Sequence, residues 1–265
     1  MNTKARIASL FEAPILDSEI TGFESFRLSD LEIESELSFD LPTNLRLGHL
    51  VEKTVAQCIR ASNNFRLLNE SIQLIEEKQT LGEIDFILEE VKSRKIIHME
   101  LAYKFYLYDP SLSDDPIQNW IGPNRNDSLH LKLKKLKEKQ FPLLHHKALG
   151  AKLAGLESSE ISQALCFMAS LFVPYQSDVK LEPNYLKAVK GYYLNYSDFQ
   201  KLDHSLSTYY LPPKKEWGMN PDENQNWLNY EEIEIDLSES ISDRRSRMCW
   251  KKEGDNYRTF FVVWW

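Results

Sequence analysis

Cysteine is scarce and scattered in this chain of 265 residues: Cys58, Cys166 and Cys249 stand far apart, with no Cys-x-x-Cys pair and no cysteine/histidine cluster. That spacing excludes a disulfide framework and a zinc site and implies reduced, packed thiols. Glycine is scarce too, at nine residues, and none builds a P-loop, a dinucleotide-binding turn or the G-x-S-x-G elbow of a serine hydrolase. Long apolar runs are missing. The opening MNTKARIASLFEAPIL is too short and wrongly flanked for a cleaved signal, and residues 164 to 174 fall far below the roughly 18 residues that cross a bilayer. A cytoplasmic protein with no membrane contact is the expectation. A positive excess is missing as well: a net charge of −8 and a pI near 5.4 count against gripping nucleic acid by bulk electrostatics, so any such contact must be local.

What is present is an ordinary globular composition, 42% hydrophobic and 27% charged, with the charge unevenly placed. Residues 222 to 243 hold eight acids and no base, whereas residues 132 to 139 hold five lysines and one acid. Residues 1 to 44 read as an acidic N-terminal arm with one or two short helices. Residues 45 to 265 read as one domain, its core about 45 to 145. In that core Leu47, Leu50, Val51, Thr54 and Cys58 fall at helical spacing behind Asn44 as N-cap, and a strand lies near 71 to 75. A second helix, capped by Asp127 or Ser128, buries Leu129, Leu133 and Leu136 after a loop at 120 to 126. Residues 165 to 173, 191 to 194 and 260 to 265 read as later strands. Pro212, Pro213, Pro221 and the acidic run read as long surface loops between them.

The densest chemistry lies in GEIDFILEEVKSRKIIHMELAYKFYL, residues 82 to 107, which reads as a β-hairpin turning at 89 to 95. Period-2 alternation puts Glu83, Asp85 and Ile87 on one side of the first strand. In the second strand His98, Glu100, Ala102 and Lys104 share one face, opposite the apolar Ile97, Met99, Leu101, Tyr103 and Phe105. Two acids on neighbouring strands can hold a divalent cation between them. The plainer reading is a solvated sheet face with a cross-strand acid/lysine pair. Glu90-Val91-Lys92 is a literal Glu-x-Lys, but it sits in the turn with no paired acid facing it.

Asp85 followed fifteen positions later by Glu100 on paired strands, with a lysine downstream, resembles the core of the PD-(D/E)XK nuclease superfamily. More narrowly, LGHLVE at 47 to 52, GEIDFIL at 82 to 88, HMELAYKFYL at 98 to 107 and WIGPNRNDSLHLKLKKLKEKQFPL at 120 to 143 resemble a bacterial family known as domain of unknown function 1853. The resemblance implies an α/β, restriction-endonuclease-like fold: a mixed central sheet flanked by helices, with additional C-terminal strands. It also implies a Mg²⁺- or Mn²⁺-dependent hydrolysis of nucleic acid, DNA ahead of RNA. Asp85 and Glu100 would ligate the ion, and Glu52, from the first helix beside His49, would complete the site. Arg125, Lys132, Lys134, Lys135, Lys137 and Gln140 would meet the nucleic acid, and Lys104 would act in catalysis.

The chain departs from the superfamily pattern at Ala102, which occupies the usual lysine position. Lys104 is one pleat further along, about 13 Å from Glu100 by strand rise. His98 could substitute as a base or be a polar strand residue. A nuclease-derived binding or scaffold protein without catalysis is therefore the rival expectation.

Overall fold

Two periodicities, 3.6 and 2, divide the chain into helices and strands. The computed structural model describes residues 3–34, 37, 39–42, 44–147, 149, 153 and 157–265. Helices α1 (Thr3–Phe11), α2 (Ser18–Thr21) and α3 (Leu47–Arg60) precede the strands β1 (Phe65–Glu76), β2 (Gln79–Glu90) and β3 (Ile96–Tyr108). There follow β4 (Trp120–Ile121), α4 (Leu129–Lys135), β5 (Ile161–Pro174), α5 (Pro183–Leu186), β6 (Val189–Asn195), α6 (Tyr196–Gln200), β7 (Thr208–Tyr210), α7 (Tyr230–Ser242), β8 (Arg247–Glu253) and β9 (Asn256–Val263). The protein is thus of mixed α/β class. It divides into two compact units, Met1–Tyr103 with Leu131–Met168 and Lys104–His130 with Ala169–Trp265.

In the first unit the strand order is β1-β2-β3-β5. Helix α3 packs on β1 and buries Leu47, Leu50, Val51, Thr54 and Cys58, the stripe its spacing requires. Its N-cap, however, is Arg46 rather than Asn44: the chain is still extended there, at φ −68° and ψ 153°, and no side chain caps the helix. Leu10, Leu16, Phe26 and Leu28 are buried, and the Leu16 and Phe26 amides donate to the Phe167 and Leu165 carbonyls of β5. The expected buried leucines are found at Leu129 and Leu133 of α4 and at Leu136 just beyond it. The helix then widens into a π-helical turn, Leu136–Gln140, and tightens into a 3₁₀ turn, Phe141–His145. This segment lies against β2, where Leu143 covers Gly82 so closely that an added Cβ would come within 2.6 Å of its Cδ1. Ile72, Leu74, Ile84, Ile87, Leu143 and Leu144 form the core beneath it.

In the second unit the order is β5-β6-β9-β8-β7, with β4 on the end of β3. The β5–β6 and β6–β9 pairs are parallel; β9–β8 and β8–β7 are antiparallel. Phe199, Ile233 and Leu237 of α6 and α7 pack with Tyr209, Cys249, Phe260 and Val262. The acidic run expected as loop is in part the helix α7. Asn229 Oδ1 accepts from the Glu232 amide at 2.9 Å and Glu232 Oε2 from the Asn229 amide at 2.7 Å, a reciprocal cap. Ile233 and Leu237, four residues apart, then anchor the helix while most of its acids face solvent. The loop expected at 120 to 126 likewise begins as strand β4, because Trp120 is fully buried and pairs with Tyr108. The final strand ends at Val263. All three cysteines are buried free thiols, pushed up to about 12 by burial.

Gly191 marks a close backbone approach in this sheet: a Cβ there would lie 1.9 Å from the Thr259 carbonyl oxygen. Backbone cannot swing aside as a side chain can. Gly191→Ala is expected to destabilise the protein by about 3 kcal/mol, measured by denaturant unfolding, and unchanged stability would contradict the tight β6–β9 pairing.

Candidate functional site

β1 and β2 pair along almost their whole length, from Phe65/Glu90 to Glu76/Gln79. The β2–β3 ladder covers only Phe86/Met99 to Glu89/Ile96. Asp85 and Glu100 are the next residues outward on the two strands, so both acids stand where the ladder stops. Asp85 Oδ2 accepts the Leu101 N–H at 2.8 Å, satisfying with a side chain a donor that the ladder would have given a carbonyl.

Glu100 is held from both sides. Lys132 Nζ donates to Gln140 Oε1 at 2.9 Å, and Gln140 Nε2 donates to Glu100 Oε2 at 2.6 Å. An ammonium offers only donors, so Lys132 fixes the amide with its oxygen toward itself and its nitrogen toward Glu100. On the other side His98 Nε2 lies 2.8 Å from Glu100 Oε1. His98 is fully buried, and among the described residues its Nδ1 has no hydrogen-bond partner. An orphaned acceptor is tolerated better than an orphaned N–H, which assigns the proton to Nε2, donating to Glu100. Burial also lowers the His98 pKa to about 4, so the ring is a neutral donor at physiological pH.

Burial dominates the electrostatics of the acids. It pushes the Asp85 carboxyl up to about 8, with the Glu100 charge adding to the effect and the Leu101 amide opposing it. Burial likewise raises Glu100 to about 8, against the opposing pull of Lys132 and the Asp85 amide. The reading of this face as a solvated one is overturned: His98 and Glu100 are fully buried and Ala102 is 3% exposed.

Glu52 accompanies Asp85 along a narrow cleft that Lys53 and Glu70 also line, and its charge adds to the Asp85 shift. Its Oε2 lies 3.0 Å from His49 Nδ1. Among the described residues, however, no three His, Cys, Asp or Glu side chains gather closely enough to hold a metal ion. The side chains that a divalent ion could use here are the Asp85 and Glu100 carboxylates, whose oxygens keep lone pairs beside the hydrogen bonds that orient them and are of the type a hard cation takes.

The remaining expected residues are placed as follows. Lys134, Lys135 and Lys137 are exposed and Lys132 half-buried. In the second unit Lys104 Nζ is bonded to Asp127 Oδ2 at 2.7 Å. Arg125 bonds Asp109 at 3.0 Å and lies 4.5 Å from the centre of the Trp265 ring. Sequence reading placed Lys132 and Gln140 only at a nucleic-acid surface. Their link to Glu100 depends on the π turn, for which the pattern of leucines gives no signal.

A family model described as Domain of unknown function (DUF1853) matches residues 27–256 of the chain. No curated protein and no solved structure matches it. Among the described residues no helix is long and apolar enough to cross a membrane.

Proposed function

We propose that this chain, which belongs to the DUF1853 family of unknown function, is a Mg²⁺- or Mn²⁺-dependent nuclease of the PD-(D/E)XK kind, with Asp85 and Glu100 as the metal ligands. The observation that carries this reading is the acid pair, two carboxylates raised by burial where a strand ladder stops. Folding alone gains nothing from burying like-charged groups together, and a bound cation offsets that cost. The ion, when bound, would polarise a phosphoryl oxygen and lower the pKa of a water for phosphodiester hydrolysis.

The chain's own residues do the rest. His98 and Gln140 orient Glu100, and the Leu101 amide orients Asp85. Lys132 supplies, through Gln140, the positive charge that Ala102 cannot, while Lys104 is engaged by Asp127. The exposed Lys134, Lys135 and Lys137 meet the phosphates of the substrate, DNA ahead of RNA. A non-catalytic nucleic-acid-binding or scaffold protein is the second reading, favoured by Ala102 and by the net charge of −8.

The test is an assay of purified protein with Mg²⁺ and Mn²⁺ on single-stranded, double-stranded and branched DNA and on RNA. Cleavage of at least one substrate is expected. Lys132→Met should lower it about a hundredfold, the scale of removing one aligned electrostatic group, and Lys104→Ala much less. No cleavage on any substrate supports the non-catalytic reading. A larger loss in Lys104→Ala than in Lys132→Met would return the lysine's role to β3.

A further inference from the structure

Two helical faces, one in each unit, carry an exposed apolar residue flanked by charge of one sign. Helix α7 buries Ile233, Leu237 and Ser240, and on its other side Ile235 faces out at 64% exposure. The exposed Glu231, Glu232 and Glu239 lie three or four positions from Ile235, so all four share one face. Opposite in sign is the face at 131 to 139. Leu133 and Leu136 turn inward there, and Leu131 faces out at 58% exposure beside the exposed Lys134 and Lys135, three and four positions on. Lys137 and Lys139 follow in the π turn, with Glu138 the one acid among them.

Neither face gains anything for the fold of a single chain. Among the described residues Glu231, Glu239, Lys134, Lys135, Lys137 and Lys139 make no ion pair, and like charges three or four positions apart, such as Glu232 with Asp236, weaken the helix that carries them. An isoleucine and a leucine left in water also forgo the stabilisation that burial would give them. Each face holds what the other lacks. The acids of α7 complement the lysines of 131 to 139, and the two apolar residues can cover one another. A partner of other chemistry would match one face; a second copy of this chain matches both.

We infer that this protein associates with a second copy of itself, the acidic α7 face of one copy docking on the basic face at 131 to 139 of the other. Because the two faces differ the contact is heterologous: a dimer closes where both contacts form together, and chains join head to tail where one does. One helix against one helix is a small interface, so the association is reversible and depends on concentration. It needs neither Asp85 nor Glu100 and stands apart from the nuclease reading, under which the same lysines meet the substrate.

Sedimentation velocity of the full chain over a range of concentrations tests the proposal. A mass above that of one chain, rising with concentration, is expected. Raising NaCl from about 0.1 M to about 1 M should weaken the association about tenfold or more, because the screening length falls from about 10 Å to about 3 Å. Glu231→Lys with Glu239→Lys should leave a monomer, and so should Lys134→Glu with Lys135→Glu. An equimolar mixture of the two double variants should form a 1:1 complex, because one supplies an unaltered α7 face and the other an unaltered basic face. Ile235→Ser should weaken the association about tenfold. Asp85→Asn and Glu100→Gln should associate like the unaltered chain, which separates failure here from failure of the nuclease reading. The replaced residues are exposed, and circular dichroism melting confirms that the variants fold. A single-chain mass at every concentration overturns the proposal and leaves the two faces to partners of other chemistry. It is overturned equally if either double variant associates undiminished, or if the mixture of folded variants stays monomeric.

Discussion

Glu100→Gln is expected to eliminate metal-dependent cleavage and, in the same molecule, to make the metal-free protein more stable at pH 8. The two effects share one cause. Glu100 is fully buried, and burial raises its carboxyl from the ordinary 4.5 to about 8. The unfolded chain releases this proton near 4.5 and the folded protein holds it up to about 8, so folding takes up a proton between those values. Stability is full below the lower value and falls as pH rises through the higher one. An amide keeps the shape and cannot ionise. Its oxygen still accepts from Gln140, and its nitrogen can face His98 once that ring moves its proton to Nδ1, where no partner waits. That mismatch returns part of the gain, leaving a net stabilisation on the order of 2 kcal/mol at pH 8 and little change at pH 5. Thermal melts at the two pH values, beside cleavage assays, check both halves. Cleavage that persists in the variant, or an equal stability change at both pH values, would contradict the role given to Glu100.

Metal-free protein should lose stability steadily from about pH 4 to about pH 8, and Mn²⁺ should restore it, most strongly at the alkaline end. Burial raises both Asp85 and Glu100 toward 8, and the Glu100 charge raises Asp85 further. A cation competes with protons for these oxygens, so its affinity rises as the protons leave. Binding only to the folded state adds stability in proportion to the logarithm of ligand concentration over Kd, roughly 2.7 kcal/mol at a hundredfold excess. Asp85→Asn should abolish the Mn²⁺-induced rise in Tm. Glu52→Gln should leave most of it, because Glu52 shares a cleft with Asp85 without joining a three-acid set.

The acid pair and its hairpin are legible in the sequence because both rest on period-2 alternation and a charged turn, which local residues determine. The face those acids occupy is not legible. Its burial comes from residues 136 to 145, some forty positions away in the chain, which lie against β2 through a π turn that no 3.6-residue pattern encodes. Helix α7 was hidden for another reason. Eight acids and a nearby Pro221 outweigh Ile233 and Leu237, although Asn229 and Glu232 carry a capping box that a stricter reading of helix starts would have weighed. The order β5-β6-β9-β8 joins strands distant in sequence, and the apolar content of residues 260 to 263 requires cover without naming the partner.

The most direct test of the account is anomalous scattering from a crystal soaked in Mn²⁺. The expected result is one Mn²⁺ peak between the Asp85 and Glu100 carboxylates, absent from crystals of Asp85→Asn grown in the same form. A map with no peak there, or with its peak at other side chains, would contradict the assignment of these two acids as the metal centre.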